Sequence, residues 1–130
     1  MGDPKTFLVA IGLSLPLISG AARAMPTTAA DPVMTFAVCT GRLSAQMEHQ
    51  WIVDPPASDA TRSQRARMLA LLDAVLLPEQ GPQALNWRIE AKQAQTQLLA
   101  RALNSSERRE ADYAARLARR ELAACNALLL

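Results

Sequence analysis

Histidine and cysteine, which are common metal ligands and catalytic residues, are scarce in this chain of 130 residues. There is one histidine, His49, and there are two cysteines, Cys39 and Cys125. The Cys-x-x-Cys-His spacing of covalent haem is absent, and the last helical segment lacks the histidine that a methionine–histidine haem would need. Signatures of serine hydrolases, phosphate-binding loops and dinucleotide-binding folds are absent as well. The sequence therefore predicts a protein that uses no cofactor or metal ion and is not an enzyme.

No apolar run approaches the length of about 20 residues that a membrane-spanning helix needs. The apolar stretch near the start, residues 7–18, follows a short basic start at Lys5 and is broken by Pro16. Residues 22–24, Ala-Arg-Ala, then have the small-residue pattern of a signal peptidase site. These features predict a cleaved secretory signal peptide over residues 1–24, with a retained membrane anchor as the alternative.

An excess of one charge is also missing once the signal peptide is removed. Cleavage takes Lys5, Arg23 and Asp3 away from totals of 14 basic and 12 acidic residues, which leaves 12 and 11. Binding to nucleic acid needs a concentrated basic surface, so we expect no nucleic-acid partner. The mature chain would begin with a disordered leader of small residues over 25–30, carry no transmembrane anchor and act in the periplasm or as a secreted protein.

Strand-forming residues are scarce, whereas Ala, Leu, Arg and Gln, which favour helices, dominate the chain. Short breaks divide it into four helical segments, over about 32–53, 60–77, 82–103 and 106–129. Short connections between helices favour antiparallel neighbours. The sequence predicts an all-α domain over residues 31–130, folded as an antiparallel up-down-up-down four-helix bundle.

The last segment has the clearest apolar pattern, a heptad seam. The residues of this seam are Ala111, Ala115, Ala118, Leu122, Cys125 and Leu129. In the predicted bundle the start of the first helix and the end of the fourth lie at the same end, and both cysteines lie on apolar faces. Because two cysteines in an oxidising compartment generally pair, we predict a Cys39–Cys125 disulfide rather than free thiols or a metal pair.

The first helical segment is apolar on more than one side. Its main face carries Phe36, Cys39, Leu43, Met47 and Trp51. A second stripe carries Met34, Val38, Gly41, Ala45 and Ile52 and is interrupted by Glu48. Since a surface helix normally has a polar outer half, this stripe is either buried in the bundle or forms an interface with another protein or a second copy. Gly41 and Ala45 mark where a partner helix could approach most closely.

Charged residues interrupt the apolar side of the third segment. Arg88 and Lys92 lie within a broad apolar side, where they extend outward, pair with a buried acid such as Glu48, or face a ligand. The candidate ligand-binding residues are Glu48, Trp87, Arg88 and Lys92. We interpret His49 as an exposed surface histidine. A helical bundle that binds a small ligand or a metal ion through Glu48, His49, Arg88 and Lys92 is the alternative function.

Two stretches resemble small exported helical proteins of alphaproteobacterial type. They are residues 39–51, which begin Cys-Thr-Gly-Arg-Leu, and residues 87–92, Trp-Arg-Ile-Glu-Ala-Lys. The resemblance agrees with export and carries no function or functional residue with it. The residues themselves favour a non-enzymatic accessory protein that binds another protein through apolar helix surface.

Overall fold

The computed structural model describes residues 30–130 and, before them, Gly2. The predicted signal peptide, residues 1–24, therefore lies outside the described part of the chain apart from that one residue. The predicted leader lies outside it too, except for Ala30, which is exposed immediately before the first helix.

All regular structure in residues 30–130 is helical. The four α-helices are α1 (Pro32–Val53), α2 (Ser58–Val75), α3 (Gly81–Asn104) and α4 (Arg108–Asn126). Short 3-10 turns cover Pro55–Ala57, Pro78–Gln80 and Ala127–Leu129. None of the helices in this part of the chain is both long and apolar enough to cross a membrane.

The ends of α1 follow from local chemistry. The side chain of Asp31 accepts a hydrogen bond of 2.9 Å from the backbone N–H of Val33, which satisfies a donor that has no partner within the helix. Pro32 occupies the first turn, where its missing N–H costs nothing. At the other end α1 stops at Asp54 because Pro55 disfavours a helical conformation for the residue before it.

Contacts between the helices give their directions. Ala37, near the start of α1, packs in one cluster with Leu72, near the end of α2. In the same way Leu98, in the last third of α3, packs with Ala114 near the start of α4. Consecutive helices are antiparallel, so the predicted up-down-up-down four-helix bundle is confirmed.

The predicted disulfide links the first and last helices. Cys39 and Cys125 are bonded, with a Cα–Cα distance of 5.4 Å. The bond lies in a buried cluster with Leu43, Met68 and Leu129, to which α1, α2 and the final turn contribute. The Arg42–Glu121 ion pair joins α1 and α4 beside it. This end of the bundle is therefore closed by a covalent bond, an apolar cluster and an ion pair together.

The four helices do not pack equally on one another, because α1 makes the most extensive contacts. α1 packs most extensively against α3 and then against α2, whereas α2 and α3 scarcely contact each other. The α1 and α3 helices run parallel, with Ala37 close to Ala84 near their starts and Ile52 close to Leu103 near their ends. They are thus the diagonal pair of the bundle, in direct contact across its middle.

Gly41 is what allows this diagonal contact. A Cβ atom at Gly41 would overlap the carbonyl oxygen of Arg88 and lie 3.0 Å from the backbone nitrogen of Lys92. The missing side chain lets the backbone of α1 rest against that of α3.

Two apolar faces differ from their prediction. Trp51 is 51% exposed, although its spacing placed it on the main face of α1; it lies in the last turn of that helix. On α4, Ala118, Cys125 and Leu129 of the predicted seam are buried, but Ala114, which the seam omits, is fully buried against α3. Most of the buried face of α4 packs on α3, and a smaller part near Cys125 packs on α1.

Candidate functional site

A cleft lies over α1, with α2 on one side and α3 on the other. Its volume is about 160 Å³. The lining residues are Gly41, Ser44, Met47, Glu48, Arg65, Leu85, Arg88, Ile89 and Lys92. The cleft exists because α2 and α3 both pack on α1 without closing against each other. We call it the basic cleft, since three of its residues are cationic and one is acidic.

Lys92 and Glu48 form an ion pair across the α1–α3 contact. Lys92 Nζ donates to Glu48 Oε1 at 2.6 Å. Pairing with Glu48 was one of the alternatives for Lys92, but the acid is not buried: 42% of the Lys92 side chain and 41% of the Glu48 side chain are exposed. An ion pair with this much exposure contributes about 1 kcal/mol or less to stability, so a competing ligand could displace it.

Arg65 belongs to the cleft, and sequence reasoning missed it. Its Nε donates to Ser44 Oγ at 2.7 Å, and Ser44 Oγ in turn donates to the carbonyl oxygen of Thr40 at 2.8 Å. The helical spacing does hold a signal, because Arg65 lies three residues before Met68 and seven before Leu72, both buried. An arginine on the buried face of α2 needs a polar partner, which Ser44 provides.

Arg88 supplies the third cation. It is half-buried at the point where its own carbonyl oxygen lies against Gly41. Within residues 30–130, no carboxylate oxygen lies within 4.0 Å of the guanidinium of Arg88 or of Arg65. The cleft therefore has three cations against the single carboxylate of Glu48, and two of the cations lack an acidic partner in the described chain.

Trp87, one of the candidate ligand-binding residues, does not line the basic cleft. It packs against a buried cluster that includes Val33, Leu72 and Ala84. Consecutive helical residues differ by about 100° around the helix axis, so Trp87 and Arg88 face different sides of α3. The indole is partly buried against that cluster.

His49 does not line the basic cleft either. It is half-buried rather than exposed, and it lies between two other clefts, one with Ile52 and Leu103 and one with Gln46 and Arg119. The four residues of the alternative site are thus split: Glu48, Arg88 and Lys92 come together, and His49 points elsewhere. In residues 30–130 there is no group of three His, Cys, Asp or Glu residues that could hold a metal ion.

The second apolar stripe of α1 divides into a buried and an exposed part. Gly41 and Ala45 are buried, with Ala45 only 2% exposed, and Gly41 contacts α3 directly. The helix that approaches there is α3 of the same chain, so at these two positions the stripe is buried in the bundle. Val38 is half-buried, whereas Met34 and Ile52 are exposed.

The exposed part at the end of the stripe belongs to an apolar surface shared with α3. Ile52 is 83% exposed and Leu103 is 60% exposed. Both line a shallow cleft of about 320 Å³ in which Ala45, Leu99 and Ala100 also take part. We call Ile52, Leu99, Ala100 and Leu103 the terminal apolar patch. The short side chains of Ala45 and Ala100 leave space between the larger residues, so the patch is concave rather than flat.

Comparison of the chain with protein-family models, with curated proteins and with solved structures gives no match. The basic cleft and the terminal apolar patch are two surfaces of the described chain that could bind a ligand or a partner.

Proposed function

We propose that this protein is an exported, non-enzymatic accessory protein that binds another protein through the terminal apolar patch. The observation that carries the proposal is the pair Ile52 and Leu103, two large and mostly exposed apolar side chains that line the same shallow cleft between α1 and α3. Removing one such side chain from water contributes about 1.5–3 kcal/mol. Other large apolar side chains are exposed as well, but Ile52 and Leu103 line one and the same cleft.

The shape of the patch favours an amphipathic helix as the partner element. The groove runs between two parallel helices, and Ala45 and Ala100 leave room for a large apolar side chain between Ile52 and Leu103. A helix presents apolar residues at spacings of three and four along one face, which suits a groove of this kind. Glu48 and Asn104 at the rim provide polar contacts for the edge of such a helix.

Two features support export. The sequence of residues 1–24 has the pattern of a cleaved signal peptide, and the Cys39–Cys125 bond is of a kind that persists in oxidising compartments such as the periplasm. We propose that the mature chain acts in the periplasm or outside the cell.

The proposal is tested with Ile52→Glu and Leu103→Glu, because a charge in the middle of an apolar interface opposes binding. A protein captured by the wild-type chain from a periplasmic extract is identified, purified and titrated against each variant. We expect its affinity to fall at least about 30-fold, the equivalent of about 2 kcal/mol for one buried anchor, while circular dichroism shows an unchanged helical fold.

Leu77→Glu is the matched control, since Leu77 is also a large exposed residue but lies between α2 and α3, away from the patch. This variant should bind like the wild type. A role for the patch would be contradicted if Ile52→Glu and Leu103→Glu bound the partner as tightly as the wild type. It would also be contradicted if Leu77→Glu lost as much affinity as they do.

A further inference from the structure

We propose that the basic cleft is a phosphate-binding site, which takes either inorganic phosphate or the phosphate group of a small molecule. This inference goes beyond the proposed function and does not depend on it. It rests on the convergence of Arg65 from α2 with Arg88 and Lys92 from α3 over a floor formed by Gly41 and Ser44.

The charge of the cleft calls for an anion. Three cations face one carboxylate, and neither guanidinium has an acidic partner within the described residues. A phosphate group at neutral pH carries a charge between about −1.5 and −2, which matches this excess. A single carboxylate would leave part of the excess uncompensated.

The donor geometry also suits phosphate. Arg65 uses Nε to bind Ser44, and this bond fixes the plane of the guanidinium while its two terminal nitrogens stay available. Arginine forks of this kind bind phosphate oxygens in pairs. Ser44 is itself held by the carbonyl oxygen of Thr40, so the orientation of Arg65 is set before a ligand arrives.

The size of the cleft limits what can enter. Pockets for drug-sized ligands have volumes of about 300–1,000 Å³, and the basic cleft has about 160 Å³. It has room for one phosphate group and little more. The remainder of a phosphorylated molecule would lie on the surface, where Leu85 and Ile89 are partly exposed.

Glu48 opposes the ligand and provides the sharpest test. Its carboxylate repels an anion in the cleft and engages Lys92 at 2.6 Å. Neutralising it by Glu48→Gln removes the repulsion and releases the ammonium group toward the cleft. A phosphate site therefore predicts tighter binding by Glu48→Gln, whereas a purely structural ion pair predicts no change in phosphate affinity.

Inorganic phosphate is titrated into the purified, disulfide-bonded chain at low ionic strength. Calorimetry measures the binding, and the NMR signals of Gly41 and of the Arg65 side chain report where it occurs. We expect saturable binding at one site. Arg65→Gln and Arg88→Gln should each weaken it about tenfold or more, since each removes charge-assisted hydrogen bonds, and Glu48→Gln should strengthen it by about fivefold.

Arg116→Gln is the matched control, because Arg116 is an exposed arginine on α4 that does not line the cleft. The phosphate affinity of this variant should stay within twofold of that of the wild type. Arg65→Lys keeps the charge and loses the fork, and it should also bind more weakly. If Arg65→Gln does not fold, Arg88→Gln and Glu48→Gln still decide the question.

The source of the phosphate group is distinguished by a second titration with glycerol phosphate. Tighter binding of glycerol phosphate indicates a small phosphorylated molecule, and tighter binding of inorganic phosphate indicates the free ion. The proposal is overturned by the absence of saturable binding, by weaker binding of Glu48→Gln, by equal losses in Arg116→Gln, or by succinate binding more tightly than phosphate.

Discussion

Single residues decide which helices touch in this protein, and Gly41 has the largest effect. Its backbone lies against the carbonyl oxygen of Arg88, and this contact draws α3 across the diagonal of the bundle. The same contact places Arg88 beside Ser44 and Glu48. One missing side chain thus sets both the packing of the core and the composition of the basic cleft.

We predict that Gly41→Ala destabilises the protein although alanine is the better helix former. The added methyl group would overlap backbone atoms of α3, and overpacking of this kind costs about 1–3 kcal/mol. Chemical denaturation measures the loss. Gly81→Ala is the control, because a Cβ atom at Gly81 meets nothing within 4 Å; that variant should match or slightly exceed the wild type in stability. Equal stability of both variants would mean that α1 and α3 are not in backbone contact.

At this scale the sequence is only partly informative. Asp31 and Pro32 predict the start of α1 because a cap is a local interaction, and the helix does start there. The placement of Gly41 against Arg88 depends on a contact between residues 47 positions apart, which periodicity within one helix does not contain. For this reason the stripe through Gly41 and Ala45 left an interface open as an alternative, and α3 turned out to cover it. The place of Trp87 likewise depends on contacts with residues of α1 and α2 that are distant in the sequence.

Whole helices are positioned by the disulfide as well as by packing. Cys39 and Cys125 are 86 residues apart in the sequence, and they join α1 to α4, two helices that otherwise make few contacts with each other. The topology predicted from short connections and the pairing of the only two cysteines agree, because each requires the start of α1 and the end of α4 to meet. The covalent bond therefore fixes a helix pair that packing alone holds weakly.

We predict that replacing both cysteines, Cys39→Ala with Cys125→Ala, lowers the free energy of unfolding by about 2–5 kcal/mol. Closing a loop of this length restricts the unfolded chain, and the model for that effect gives roughly 4–5 kcal/mol. Denaturation of the double variant and of the wild type is compared with and without a reducing agent. The reductant should lower the stability of the wild type toward that of the variant and leave the variant unchanged. A double variant as stable as the oxidised wild type would show that α4 is held by packing alone.

Across the whole molecule, the two candidate surfaces lie consecutively along α1. The basic cleft uses α1 residues from Gly41 to Glu48, and the shallow cleft of the terminal apolar patch uses residues from Ala45 to Ile52. Glu48 lines both, and α3 forms one wall of both. The central position of α1 explains this arrangement, because α1 packs on both α2 and α3 and grooves remain open beside α3. A partner seated on the patch would lie next to the basic cleft and its charge.

The sequence also predicts export, and this prediction can be tested on the intact molecule. We predict that the exported chain begins at Met25, because residues 22–24 form the peptidase pattern. The folded domain begins at Pro32, so seven residues separate the predicted cut from the first helix and leave the peptidase access to it. Amino-terminal sequencing and the intact mass of protein isolated from the periplasm measure the cut.

The control for this prediction is Ala24→Pro, which places a residue that signal peptidases do not accept at the predicted cut. This variant should retain residues 1–24 and stay with the membrane fraction. Its Cys39–Cys125 bond should still form, because the domain would face the same oxidising compartment. A wild-type chain that keeps residues 1–24 would contradict cleavage and indicate an anchor. Reduced cysteines in freshly isolated protein would contradict export itself.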